Sequence, residues 1–142
     1  MRASRLVLFA VAGVGVAGAG PSIANATEVL TFVAKQHVEK QSATRFTFKE
    51  VLFAGGKKVG TDDATCTYVT AKGAKQPSGA DCTITLHLAR GGIVVGVKLR
   101  FSTPGGAVRV IGGSKAYAGA AGSGTFKNLP NDDTKIILRL AS

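Results

Sequence analysis

Two carboxylates and a tyrosine are the residues of this sequence best placed to do chemistry. Glu50 and Asp62 lie on either side of the segment AGGKK, and Tyr68 follows Asp62 by six positions. If AGGKK turns the chain through a three- or five-residue loop, Glu50 shares a strand face with Phe46, Phe48 and Leu52. It then stands beside or diagonal to Asp62 on the neighbouring strand. A carboxyl group facing an apolar interior has its pKa raised by desolvation, and a like-charged neighbour raises one of the pair further. Such a group protonates a carbonyl or epoxide oxygen, or takes a proton during ring closure. Tyr68, on the same face, is placed to donate a hydrogen bond to developing oxyanion charge. The competing expectation puts both acids at the edge of the fold, paired with Lys49, Lys57 or Lys58.

Other chemistries lack their residues. His37 follows Gln36 at a strand end, and His87 shares a face with Lys98 and Arg100, so both read as solvated. There is no G-x-S-x-G for a hydrolase. Cys66 and Cys82 with two distant histidines match no zinc spacing, so no metal is expected.

The elements that must position the acids are strands. After Thr27, short runs rich in Val, Thr, Phe and Ile alternate with polar residues and are punctuated by Gly, Pro and Asn-Asp. Strands are predicted near 29–37, 45–53, 59–69, 81–89, 93–101, 107–111, 123–128 and 133–140. Asp132-Asp133 opens the last of them. Eight strands with no room for substantial helices predict a small closed barrel or a sandwich. Gly91-Gly92 reads as a hairpin turn that sets Leu88 opposite Ile93 or near Val95. Either choice puts Ile84, Leu86 and Leu88 on one apolar face with Val95, Val97, Leu99 and Phe101. The opposite face, with Thr83, Thr85, His87, Lys98 and Arg100, reads as solvated. Cys82 falls on the apolar face, and Cys66 is expected to point inward to meet it.

The compartment is read from the N-terminus. Arg2 and Arg5 precede an apolar run from Leu6 to Ala19, and Ala24-Asn25-Ala26 matches a signal-peptidase site. The expected organisation is a cleaved signal peptide, 1–26, and one domain, 27–142, exported to an oxidising compartment. There the two cysteines are expected to form a disulfide, Cys66–Cys82. The net charge of +10 would attract an anionic envelope polymer or nucleic acid. Its basic residues are scattered, however, and there is no Trp to stack bases, so specific nucleic-acid binding is not expected.

The stretch VIGGSKAYAGAAGSGTF, 110–126, has the glycines of a phosphate loop but not its order. Ser114 precedes Lys115, no helical pattern follows, and a G-x-G-x-x-G is absent. It reads as a turn whose glycines supply positive φ and let Tyr117 fold back over a strand crossing. Here the sequence resembles a family. LFAGGKKVGTDDATCTYV, the GGIVVGV hairpin and VIGGSKAYAGAAG, in that order, resemble the barrel shared by allene oxide cyclases and dirigent proteins, closest to small secreted bacterial members. The motif GGTG-x-[FY]-x-x-x-x-G is met by Gly112, Gly113, Ser114, Tyr117 and Gly122, with Ser for Thr and Lys115 for the third Gly.

The resemblance implies an eight-stranded antiparallel barrel with an internal cavity, often trimeric in plant relatives. It implies a small apolar or phenolic ligand whose isomerisation or cyclisation the barrel guides without a cofactor. Phe46, Phe48, Leu86, Val97 and Leu99 are then the expected ligand contacts. Plant dirigent proteins carry arginines where this chain has Ala118 and Ala121, so their substrates do not transfer. The alternative function is a non-catalytic envelope protein that binds through its basic exterior.

Overall fold

The computed structural model describes residues 27–141 and is an all-β barrel. The expected signal peptide lies outside the described residues. Eight strands run β1 (Thr27–Gln41), β2 (Arg45–Ala54), β3 (Lys57–Val69), β4 (Gly79–Leu88), β5 (Gly91–Arg100), β6 (Gly105–Gly113), β7 (Gly122–Asn128) and β8 (Thr134–Ala141). Each pairs antiparallel with its neighbour in sequence, and β8 closes onto β1 through Leu30↔Leu138 and Phe32↔Ile136. Closure leaves no free sheet edge. The only helical element among the described residues is a 3₁₀ turn, Lys115–Tyr117.

Period-two alternation decides what is inside. Asp62, Ala64 and Cys66 of β3 are buried while Asp63, Thr65 and Thr67 are exposed, and β4 repeats the pattern from Cys82 to Leu86. Lys35, Lys98, Arg109 and Arg139 point outward. Apolar inside and charged outside is the reverse of a barrel that crosses a bilayer.

The two ends of the barrel differ. At one end, short connections (55–56 and 89–90) and the 3₁₀ turn cover a packed core that includes Leu52, Ile93, Leu138 and Tyr117, each 7% exposed or less. At the other end, the connections 42–44, 70–78, 101–104 and 129–133 surround an opening.

Three local readings are corrected. The β2–β3 loop has two residues, Gly55 and Gly56 (φ +60° and +81°), rather than three or five. The odd residue is Val59, which bulges between Leu52↔Gly60 and Phe53↔Lys58, so the expected parity holds for a different reason. The β4–β5 turn is Ala89-Arg90, not Gly91-Gly92, which pairs Leu88 with Gly91 and Ile93 with Leu86. Gly91 is a glycine because it adopts φ +148° and a side chain there would overlap the Ser114 carbonyl. Finally, β1 runs on to Gln41, past its expected end at 37, through a bulge at His37.

In the 112–122 turn, Gly112 and Gly113 end β6 and Gly122 begins β7. Ser114 clasps Gly92: its N–H donates to the Gly92 carbonyl (2.9 Å), and its Oγ accepts from the Gly92 N–H (3.0 Å). Tyr117 folds inward as expected, 7% exposed, with the Arg90 guanidinium 5.5 Å from its ring centre. Positive φ falls on two glycines of the stretch, Gly119 and Gly122, and also on the non-glycine Lys115 (φ +53°), while Gly112 and Gly113 do not adopt it. That conformation costs a side-chain-bearing residue about 1 kcal/mol. Lys115→Gly is therefore expected to stabilise the fold by about 0.5–1 kcal/mol. A denaturant midpoint that falls instead would mean that the lysine side chain makes a compensating contact.

Candidate functional site

Glu50 and Asp62 are direct cross-strand partners on the inner face of β2 and β3. They are 7% and 1% exposed, the charged residues of an otherwise apolar buried set. No lysine reaches them: Lys49 points outward, 3.5 Å from Asp63, which also lies 2.8 Å from His87 Nε2. The alternation that sends Asp63 out to a basic partner sends Asp62 in without one. Contact with His87 first, then Lys49, holds the Asp63 carboxyl below its ordinary value. His87 and His37 are both exposed, and neither lines the interior.

Burial pushes Glu50 above the ordinary glutamate value, with its contact to Asp62 acting in the opposite direction. Asp62 is pushed up to about 9, first by burial and next by the Glu50 charge. The two carboxyls lie within each other's field, yet neither Asp62 oxygen has a partner at hydrogen-bond geometry. The pair titrates as a unit and holds at least one proton at neutral pH.

Above Glu50 the barrel opens into a cavity of about 470 Å³. Phe46, Phe48, Leu86, Val97 and Leu99, the expected ligand contacts, all line it, as do Glu50 and Tyr68. Asp62 does not; it is buried beside Glu50 on the neighbouring strand. Four aromatic rings build one wall. Phe46 packs on Phe48 (6.2 Å between ring centres) and on Tyr68 (5.0 Å), and Tyr68 meets Phe101 edge-on (6.4 Å). Tyr68 is separated from Asp62 by six residues of β3, roughly 20 Å of strand. It thus belongs to the mouth, while the acid pair belongs to the floor.

The interior holds residues that the sequence pattern did not reveal. Gln36, Glu39 and Gln41 line the cavity from β1, with Arg100, Asn128 and Thr134 around its rim. The bulge at His37 switches the inward parity from Gln36 to Glu39 and Gln41, which pair with Phe48 and Phe46. Glu39 accepts hydrogen bonds from Gln36 Nε2 (2.9 Å) and Gln41 Nε2 (2.8 Å). Amphipathic alternation breaks at the bulge, and VEKQ has no apolar phase to follow. Among the described residues no cluster of three or more His, Cys, Asp or Glu is arranged to hold a metal ion.

The barrel architecture is shared with solved structures. A pterocarpan synthase dirigent protein superposes with a TM-score of 0.60 at 14% identity, over 90% of this chain and 92% of its own. The fold is the dirigent-like barrel. Pyocyanin demethylase matches with a TM-score of 0.67 at 22% identity, over 79% of this chain and 98% of its own. A nonspecific heme-binding cyclase, which catalyses a [4 + 2] cycloaddition during neoabyssomicin biosynthesis, matches with a TM-score of 0.63 at 10% identity. That match covers 80% of this chain and 64% of the cyclase. No family model matches the chain, and no curated protein matches it. At such identities the dirigent-like barrel is shared architecture, and activity must be argued from the site. The motif turn fits that architecture as a structural element: Ser114 and Tyr117 lock the packed end, away from the cavity.

Proposed function

We propose that this chain is an exported barrel that binds a small aromatic or phenolic molecule in its lumen and guides its isomerisation or cyclisation. The observation that carries the reading is the buried Glu50–Asp62 pair at the floor of an aromatic-walled cavity. Natural sequences seldom leave two carboxyls buried without a cation unless a site uses them. The neighbouring folds named as a demethylase, a cyclase and a pterocarpan synthase support a small-molecule site in such a barrel.

In this reading Asp62 keeps the shared proton and acts as a positioning residue through Glu50. Glu50 touches the ligand. It delivers a proton to a carbonyl or epoxide oxygen, or withdraws one as a ring closes. The aromatic wall aligns the ligand, and confinement in a near-reactive shape lowers the entropic part of the barrier. Tyr68 donates a hydrogen bond to ligand oxygen near the mouth. The reading requires no cofactor.

The test is native mass spectrometry of the full chain from its native source, followed by turnover of whatever small molecule co-purifies. A bound aromatic at fixed stoichiometry is expected. Glu50→Gln is expected to retain that molecule while its turnover falls about 10²–10⁴-fold, the usual contribution of one proton-transfer group. Full turnover by Glu50→Gln would remove the catalytic part of the reading. A second reading, an envelope protein held by charge, rests on the exposed bases Lys35, Lys98, Arg109 and Arg139. It predicts retention on an anionic polymer that raised salt abolishes.

A further inference from the structure

The charge of the lumen is opposite to that of the exterior. The sequence has eighteen Lys and Arg against eight Asp and Glu. Despite that scarcity of acids, Glu39 and Glu50 line the cavity, and Asp62 is buried beside Glu50 on the inner face of the sheet. Among the described residues, Arg100 is the one cation that lines the cavity. It stands exposed at the rim, with its Nη1 donating to the Leu99 carbonyl (3.0 Å).

None of the three acids is neutralised from within. The Gln36 and Gln41 amides orient Glu39 but bring no charge, and two acceptor lone pairs per carboxylate oxygen leave room for a further partner. Both Asp62 oxygens are buried without a hydrogen-bond partner, and Glu50 stands between Asp62 on β3 and Gln36 on β1, neither of which brings a positive charge. Beside these groups stand the faces of Phe46, Phe48 and Tyr68. An aromatic face attracts a cation through its quadrupole, most strongly where water is excluded. A neutral phenol would gain from the wall but leave the acids unanswered. A flat cation gains from both.

Resting on the lumenal-ligand reading above, we propose that the lumen selects an organic cation, a flat apolar molecule with one quaternary or delocalised positive charge. Its charge sits between Glu50 and Glu39, and its body lies on Phe46 and Phe48. A cation beside Glu50 favours the ionised form of the Glu50–Asp62 pair, so affinity rises with pH. The ionisable groups nearest Glu50 are Asp62 on β3 and Glu39 on β1, with Tyr68 of β3 and Arg100 of β5 farther up toward the rim. The other strands contribute apolar, amide and hydroxyl groups to the cavity.

The test compares two nearly isosteric fluorescent probes, N-methylacridinium and acridine, titrated into the disulfide-intact full chain at pH 8, where acridine is neutral. The cation is expected to bind at least about ten-fold more tightly, and more tightly at pH 8 than at pH 5. Glu50→Gln and Glu39→Gln are expected to bring the two affinities together while acridine binding persists, which shows that the variants are folded. Phe46→Ala is expected to weaken both probes. Equal affinities in the parent chain, with Phe46→Ala weakening both, would overturn the cation proposal and leave the lumenal-ligand reading standing. If the parent chain binds neither probe, both readings fall.

Discussion

Asp62→Asn is expected to make the protein more stable at pH 8, by about 1–4 kcal/mol, and to remove much of its loss of stability with rising pH. The magnitude is that of replacing buried charged groups by neutral ones. The sign follows from where the proton is bound. Asp62 has an ordinary value of 3.8 and is raised to about 9 in the folded chain. Between those values the folded state holds a proton that the unfolded state has released, so stability falls as pH rises across that window. Below it both states are protonated and the difference vanishes; above it the loss is complete. Glu50, also raised, adds to the same trend. Asp63, lowered by His87 and Lys49, acts in the opposite sense at the acid end, but it is half exposed and its share is small. Denaturant titrations of the parent and Asp62→Asn chains from pH 4 to 9 measure the effect. A parent curve that is flat or rises with pH would mean that the pair has a cationic or hydrogen-bonded partner.

Breaking the disulfide is expected to destabilise the barrel by about 3 kcal/mol, the value for a closed loop of this size. Cys66 and Cys82 are sixteen residues apart and directly paired across β3 and β4, with Cα atoms 4.0 Å apart. The bond closes the chain around the 70–78 connection, the longest at the open end. Both residues are at most 5% exposed, so reduction requires local opening of the barrel. The Cys66→Ala, Cys82→Ala double variant separates the cross-link from reductant access. An unchanged denaturation midpoint in that variant would show that packing alone holds β3 to β4.

The strands were legible because a barrel with a buried lumen imposes an alternation that composition cannot hide. Ile84 and Leu86 against Val95 and Val97 define the inner face whichever turn is assumed, since both assumed turns preserved parity. The acid pair was legible for the same reason, but its support was less direct. It required one odd residue between Glu50 and Asp62, which the chain supplies at Val59 rather than in the loop. Bulges were the features that could not be read. The bulge at His37 hid the last stretch of β1 and with it Glu39, because a single unpaired residue inverts all the parity beyond it. Gly91 was misread because a glycine required for close approach to Ser114 looks, in sequence, like one required for a turn.

The difference between the two barrel ends has a consequence for how such a molecule can change. The disulfide and the Tyr117 lock hold the sheet through residues that do not line the cavity, while the four connections at the open end surround its opening. Substitutions and length changes in 70–78 or 101–104 would alter what is admitted and leave the closure of the sheet intact. The scaffold is therefore a fixed cup with an exchangeable rim, suited to acquiring new guests by rewriting loops alone.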